Sequence, residues 1–318
     1  MNLRVDLQRR GSRMVTAAAF IWVAGLALAL VPPVAAGQEL EARAYASNPV
    51  GARFLIMGWS HSEGDMLLND SASIEDFEIR ADAYSAGLGG TFALTDRLAS
   101  IAFAVPYIDA TATGLVNDVP QRVNRAGTGD LRLRLTLNVL SGSARSVADF
   151  MRAVPDRTLG VSLVVNVPTG EYIDDKLVNL GTNRWAFRPE VGGSRRFGNW
   201  NVDGSLGVWL FGDNDSFLGS HERSQDPLTT LQGHVSYTFA PRLWLGASGT
   251  WYTGGTTSVD GVNDRNRQDN SRAGLTLAIP IGQRNSVRLA WSKGVTARFG
   301  GDLETYALSW QYLWFGSQ

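Results

Sequence analysis

The chain has 318 residues, of which 44% are hydrophobic, 29 are basic and 30 are acidic, and it contains no cysteine. Without cysteine it cannot be a small scaffold held together by disulfides. A balanced charge also lacks the basic face that nucleic-acid binding needs, so we expect no nucleic-acid partner. The sequence implies no cofactor.

The first 36 residues have the pattern of a cleaved signal peptide. Four arginines precede residue 14, and residues 14–31 are almost wholly apolar. Two prolines then interrupt the apolar run, and the chain reaches Ala35-Ala36, a small-residue pattern that signal peptidases cleave. A retained membrane helix is the alternative, because an apolar run of this length can just span a bilayer. Cleavage removes four arginines and one aspartate, leaving 25 basic and 29 acidic residues and a net charge of −4.

The mature chain is predicted to consist of β-strands throughout. In residues 131–139 every odd position is apolar and every even position is polar, including Arg132 and Arg134. Because successive side chains of a strand point to opposite faces, this strand has one apolar and one charged face. Comparable patterns predict twelve strands, near residues 50–61, 76–93, 97–109, 128–140, 158–168, 184–196, 200–212, 228–239, 242–254, 270–281, 286–298 and 302–315.

The predicted connections alternate between tight turns and long polar loops. Two depart from this rule: residues 141–157 are long and contain a predicted short helix at 147–152, and residues 299–301 are tight. Short periplasmic turns and long extracellular loops are typical of bacterial outer-membrane barrels. We therefore predict an all-β fold, an antiparallel transmembrane β-barrel of about 12 strands over residues 50–318. It follows a signal peptide (1–36) and a periplasmic N-terminal segment (37–49). Folding of residues 37–48 into the lumen as a partial plug is an alternative that the sequence does not decide.

A soluble, exported all-β protein is the competing interpretation. It explains the alternation and the signal peptide, but it explains neither the loop asymmetry nor the aromatic last strand. That strand carries Tyr306, Trp310, Tyr312 and Trp314 on one face, which suits the interfacial girdle of a barrel. The predicted location is the bacterial outer membrane, with its lipids as partners and the barrel-assembly machinery as a partner during biogenesis.

Charged side chains within strands are predicted to point into the lumen. At the bilayer midplane a lipid-facing charge costs about 2–4 kcal/mol, which disfavours the outward choice. These residues could form a selective pore, or they could pair with one another and fill a barrel of this size. The candidates are Glu78, Arg80, Asp82, Arg132, Arg134, Arg188, Glu190, Asp203, Arg272 and Arg288.

A second group of candidates lies in predicted loops at the barrel mouth. Aromatic rings, amides and an arginine could line an entry site for a small organic molecule, or they could belong to the aromatic girdle. We favour the girdle. These candidates are Asn179, Thr182, Asn183, Arg184, Trp185 and Tyr252.

Enzyme chemistry is not supported by the sequence. The chain has three histidines, His61, His221 and His234, and none has a defensible catalytic spacing. His234 is expected to face the lumen as a hydrogen-bonded residue. Acidic residues crowd the loop near 63–76, but a solvated loop is a better interpretation than a cation site. We predict no enzyme activity and no metal site.

The mature region resembles the meta-pathway phenol-degradation family of outer-membrane β-barrel proteins. The run before Trp185 is the most specific match. The matching stretches are 40–45, 48–51, 129–132, 168–172, 175–185, 225–227, 252–255 and 270–272. The resemblance implies a barrel and a link to the uptake of aromatic compounds, and it carries over no binding residues.

Together these observations predict an outer-membrane channel or transporter. Its solutes would be small organic molecules, aromatic or hydrophobic in character, taken up passively. The alternative is a plugged structural barrel without transport activity. An outer-membrane hydrolase is a distant third.

Overall fold

A computed structural model of the chain describes residues 40–67, 74–116, 118–140, 144–152 and 154–315. The predicted signal peptide lies outside these residues. None of the helices in the described ranges is long and apolar enough to cross a membrane. The elements are α1 (Val147–Arg152) and the strands β1 (Ala52–Leu67), β2 (Ile74–Leu94), β3 (Arg97–Val116), β4 (Val119–Thr128), β5 (Leu131–Leu140), β6 (Arg157–Val167), β7 (Ala186–Phe197), β8 (Trp200–Phe211), β9 (Asn214–Phe217), β10 (His221–Gln225), β11 (Leu228–Ala240), β12 (Leu243–Gly254), β13 (Thr257–Val259), β14 (Val262–Asn263), β15 (Gln268–Ile281), β16 (Asn285–Thr296) and β17 (Gly300–Phe315).

Within the described residues, twelve antiparallel strand positions close into one barrel, as the sequence predicted. The order is β1, β2, β3, β4/β5, β6, β7, β8, β11, β12, β15, β16 and β17, and β17 pairs with β1 to close the barrel. β4 and β5 share one position because each pairs with a different half of β3. The interruption between them faces Pro106, which has no N–H to donate, and the Gly129 N–H donates to its carbonyl at 2.9 Å.

The two faces of the barrel wall differ in polarity. Along β5, Arg132, Arg134, Thr136 and Asn138 are buried on the inward face, whereas Leu135 is exposed on the outward face. Exposed aromatic side chains mark both rims of the outward face, as expected for interfacial girdles. One rim carries Phe197, Trp200 and Phe239 together with the half-buried Tyr237, and the other carries Trp59, Tyr84, Tyr107, Trp185, Trp251, Trp291 and Tyr306.

The two ends of the barrel also differ. At the short-turn end, connections such as residues 95–96, 198–199 and 241–242 are two residues long. The exception there is the connection holding α1, whose position agrees with the prediction. At the long-loop end, β9, β10, β13 and β14 form a separate four-stranded sheet that joins two loops. The long loops therefore carry structure of their own above the barrel.

Candidate functional site

The N-terminal segment, residues 40–50, lies inside the barrel. Ala42 and Tyr45 are 1% and 3% exposed, and the Tyr45 hydroxyl lies 2.9 Å from the Ser162 hydroxyl of β6. The prediction of a periplasmic segment at 37–49 is corrected for residues 40–49; residues 37–39 lie outside the described part of the chain. The physical reason is that Tyr45 and its neighbours find buried partners on the inward faces of the strands.

A glycine on the wall makes room for Tyr45. A Cβ placed on Gly192 of β7 would lie 2.2 Å from Cε2 of Tyr45, far inside van der Waals contact. At Gly160 of β6 the corresponding distance to the Tyr45 ring is 3.2 Å. Any side chain at position 192 would have to displace the ring, so the wall and the segment fit each other in shape.

The segment carries a carboxylate into a group of arginines. Glu41, 4% exposed, accepts hydrogen bonds from Arg188 at 2.9 Å, from Arg132 at 3.5 Å and from Arg134. Glu190 of β7 accepts from Arg134 at 2.8 Å and from the Tyr45 hydroxyl at 2.8 Å. We call these five charged residues, Glu41, Arg132, Arg134, Arg188 and Glu190, the paired arginine cluster.

Alternation explains how the wall builds this cluster. Arg132 and Arg134 are two residues apart on β5, and Arg188 and Glu190 are two residues apart on β7, so each pair shares the inward face. All four are at most 5% exposed. Buried charges of this kind require partners, and the two carboxylates supply them. One of those carboxylates belongs to the wall, and the other comes from the N-terminal segment.

A different arrangement surrounds Arg288 of β16. Its side chain is buried on the inward face, 5% exposed, and its guanidinium carbon lies 5.8 Å from the ring centre of Trp244. Arg43 of the N-terminal segment lies over the same ring at 4.4 Å and donates to Ser236 and Thr238 at 2.9 and 2.8 Å. Among the described residues Arg288 has no hydrogen-bond partner for Nε or Nη2.

The other two predicted lumen residues are also buried on the inward face. Asp203 of β8 accepts a hydrogen bond from the Asn201 amide at 2.7 Å. Arg272 of β15 donates to Ser292 at 3.0 Å and to Thr305 at 2.8 Å. Whether any of these residues contacts a passing solute stays a prediction.

The inward placement predicted for Glu78, Arg80 and Asp82 is wrong. The Arg80 and Asp82 side chains are 69% and 41% exposed on the outward face of β2, and Glu78 shares that face. Tyr84 belongs to the girdle, and these three residues lie beyond it on β2, nearer the long-loop end. Their charges therefore lie outside the hydrocarbon layer and carry no lipid penalty. The register of β2 against β3 shifts between Glu75 and Glu78.

Three of the predicted mouth residues hold the loop after β6 in shape. The Asn179 side chain accepts from the Ile173 N–H at 2.8 Å and donates to the carbonyl of Lys176 at 2.8 Å. The Thr182 hydroxyl donates to Asp130 at 2.6 Å, and the Asn183 amide donates to Asn214 of β9 at 2.9 Å. These contacts support a structural role at the mouth.

The remaining mouth residues lie on different faces of the barrel wall. Trp185 is 48% exposed and stacks on Phe187 at 6.1 Å, as a girdle residue does. Tyr252 is 2% exposed and packs inward in an apolar cluster. Arg184 donates to Gln225 and lies 4.8 Å from the ring centre of Phe211, and burial lowers its pKa to about 10.

The three histidines lie apart from one another, and each has its own polar partner. His234, 5% exposed, lies with Nδ1 2.7 Å from the Ser248 hydroxyl. No carboxylate of the described residues forms an ion pair with it. His61 contacts Asp82 at 3.1 Å on the outward face, and His221 contacts Asp260 in a loop. In the ranges that the structure describes, no three histidine or acidic side chains gather as metal ligands would.

Sequence reasoning left open whether the N-terminal segment enters the lumen, and it named none of its residues as lumen components. Glu41, Arg43 and Tyr45 do not lie in a run that alternates between polar and apolar residues as a strand would. Strand periodicity therefore gave no signal for them. An indirect signal existed: the wall residues predicted to face inward contain more arginines than carboxylates. That excess could have prompted a search for an additional carboxylate.

The fold and the lumen define a class, the outer-membrane β-barrel, and the chain resides in the bacterial outer membrane. The description "Putative MetA-pathway of phenol degradation" belongs to a family model that matches residues 83–310. The chain is a member of this family, as the sequence resemblance indicated.

Solved structures agree with the fold. The COG4313 outer membrane channel from Pseudomonas putida F1 is 23% identical, with a TM-score of 0.72 over 85% of this chain and 98% of that one. Weaker likenesses include the β domain of the Bordetella autotransporter BrkA, at 10% identity, TM-score 0.49 and coverage of 83% and 100%. The KdgM porin follows at 8% identity, TM-score 0.44 and coverage of 81% and 98%. A search of the curated proteins finds no match.

Proposed function

We propose that this chain is a passive outer-membrane channel for small organic molecules, including aromatic ones. The observation that carries the proposal is a barrel whose inward face is lined by polar and charged side chains, with space left beside the inserted segment. One cavity lies between that segment and β3 and β5, and it is lined by Ala44, Asn48, Ser100, Thr136 and Asn138 among others. Membership of the family and likeness to a solved channel support the same conclusion.

A second candidate, the plugged barrel, is favoured by the paired arginine cluster. Glu41 fixes the N-terminal segment to three strand arginines, which narrows the lumen at this level. The clefts beside the segment, of about 20 and 10 Å³, have room for about one water molecule each, so the channel proposal expects slow conduction.

Planar-bilayer recording of the refolded mature chain separates the two candidates. The channel proposal expects small, stable unitary steps, and liposomes carrying the protein should swell in benzyl alcohol faster than empty ones. Silence in both assays from a barrel shown to be folded would favour the plugged structural barrel.

A further inference from the structure

Among the described residues, the wall arginine Arg288 has no carboxylate partner for its charge. Its Nε and Nη2 atoms are buried there without a hydrogen-bond acceptor. The Trp244 ring attracts the guanidinium, but it satisfies none of these in-plane donors. A buried polar donor without an acceptor is costly and is uncommon in native structures.

The charges around Arg288 do not compensate for it. The two charged groups that act on it are Arg43 and Arg242, both cations. Arg242 donates to the carbonyls of Gly282, Gln283 and Asn285 at 2.6–2.9 Å, and no carboxylate in the described part of the chain acts on its charge. Asp203 is the carboxylate that acts on Arg43, and it forms no ion pair with it. The site is therefore cationic and contains unused donors.

From this geometry we propose that Arg288, together with Arg43, binds the carboxylate group of a small organic solute at the short-turn end of the lumen. A carboxylate offers two oxygens to the fork of donors on a guanidinium. Trp244 holds both arginines over its ring, and Ala42 and Ala278 pack around it. The ring is fully buried, so recognition rests on the charge of the solute and not on stacking.

This inference rests on the proposed function and adds that the solute is negatively charged. Arg288 lies three residues from the short-turn end of β16, so an anion bound there has passed most of the lumen. The paired arginine cluster lies farther from the short-turn end and is already neutralised in part by Glu41 and Glu190. A solute carboxylate would compete poorly for the cluster and well for Arg288.

Calorimetric titration of the folded, detergent-solubilised mature chain with sodium benzoate tests the inference. Neutral benzyl alcohol is the matched ligand. Arg284→Gln is the matched variant, because it removes the same charge from an exposed turn at the same end. We expect benzoate but not benzyl alcohol to bind, and Arg288→Gln to weaken benzoate at least about tenfold, since a charged hydrogen bond is lost. Arg284→Gln should leave binding unchanged, and Arg288→Lys, which keeps the charge, should retain part of it.

Equal benzoate affinity in wild type and Arg288→Gln would overturn the site, and so would equal affinity for the two ligands. If Arg288→Gln does not fold, a partial loss of benzoate affinity in Arg288→Lys with Arg284→Gln unaffected supports the proposal, and full affinity in Arg288→Lys overturns it. Binding without conductance would keep the site and remove the channel. Conductance together with a benzoate affinity that does not depend on Arg288 would keep the channel and remove the site.

Discussion

Two groups of arginines point into the same lumen and differ in what surrounds them. In the paired arginine cluster, three arginines share two buried carboxylates, and the Tyr45 hydroxyl donates to one of these carboxylates, that of Glu190. The neighbours of Arg288 in the described part of the chain are Arg43, Arg242 and Trp244, and none of them carries a carboxylate. The cluster therefore holds the N-terminal segment in place, while Arg288 keeps its donors for a ligand. The same residue type on the same inward face has two functions, decided by the position of the carboxylates.

Removing the carboxylate of the segment should have the largest effect. Glu41→Gln leaves three buried arginines with only Glu190, and breaking a buried ion pair costs about 3–5 kcal/mol. Chemical denaturation of the folded barrel measures the loss. Glu222→Gln, on an exposed loop residue, should be neutral, and a comparable loss there would show that the cluster is not special.

Removing the wall carboxylate should cost less. In Glu190→Gln the arginines keep Glu41, so we expect a loss of about 1.5–3 kcal/mol, that of hydrogen bonds to a charged group. Because both carboxylates contact Arg134 and Arg188, the effects of Glu41→Gln and Glu190→Gln should not add. Strict additivity in a double-mutant cycle would contradict a shared cluster.

Shape should matter as well as charge. Gly192→Ala places a Cβ against the Tyr45 ring, and we expect a destabilisation of about 1–3 kcal/mol from overpacking. Gly233→Ala in β11 is the matched control, since a Cβ at that position meets nothing within 4 Å. Equal stability of the two variants would show that Tyr45 does not occupy the space beside Gly192.

The smallest effect is expected in the outer loops. A hydrogen bond with His221 lowers the pKa of Asp260, with help from the Glu222 N–H. A lowered carboxyl pKa means that the contact stabilises the loops above the ordinary value of 3.8 and is lost as pH falls through the lowered value. Hydrogen exchange of the loop amides, corrected for intrinsic rates, should quicken in Asp260→Asn at pH 7 and not in Asp215→Asn. An unchanged rate in Asp260→Asn would remove this contact from the account.

The fold could be predicted because strand alternation repeats along the chain, as in residues 131–139. The same alternation placed Arg132, Arg134, Arg188 and Glu190 on one face. The alternation failed for Glu78, Arg80 and Asp82, because β2 extends past the girdle, where outward-facing charges carry no lipid penalty. The alternation gave no information about the position of Glu41, which depends on contacts with β5 and β7 far along the sequence.

The central claim is that Glu41 of the inserted segment both narrows the lumen and neutralises its arginines. The most direct test is planar-bilayer recording of wild type and Glu41→Gln under a salt gradient. The account predicts larger unitary steps in Glu41→Gln and a reversal potential shifted toward anion selectivity, because the wall arginines lose a counter-charge. Identical conductance and reversal potential in the two folded proteins would contradict it.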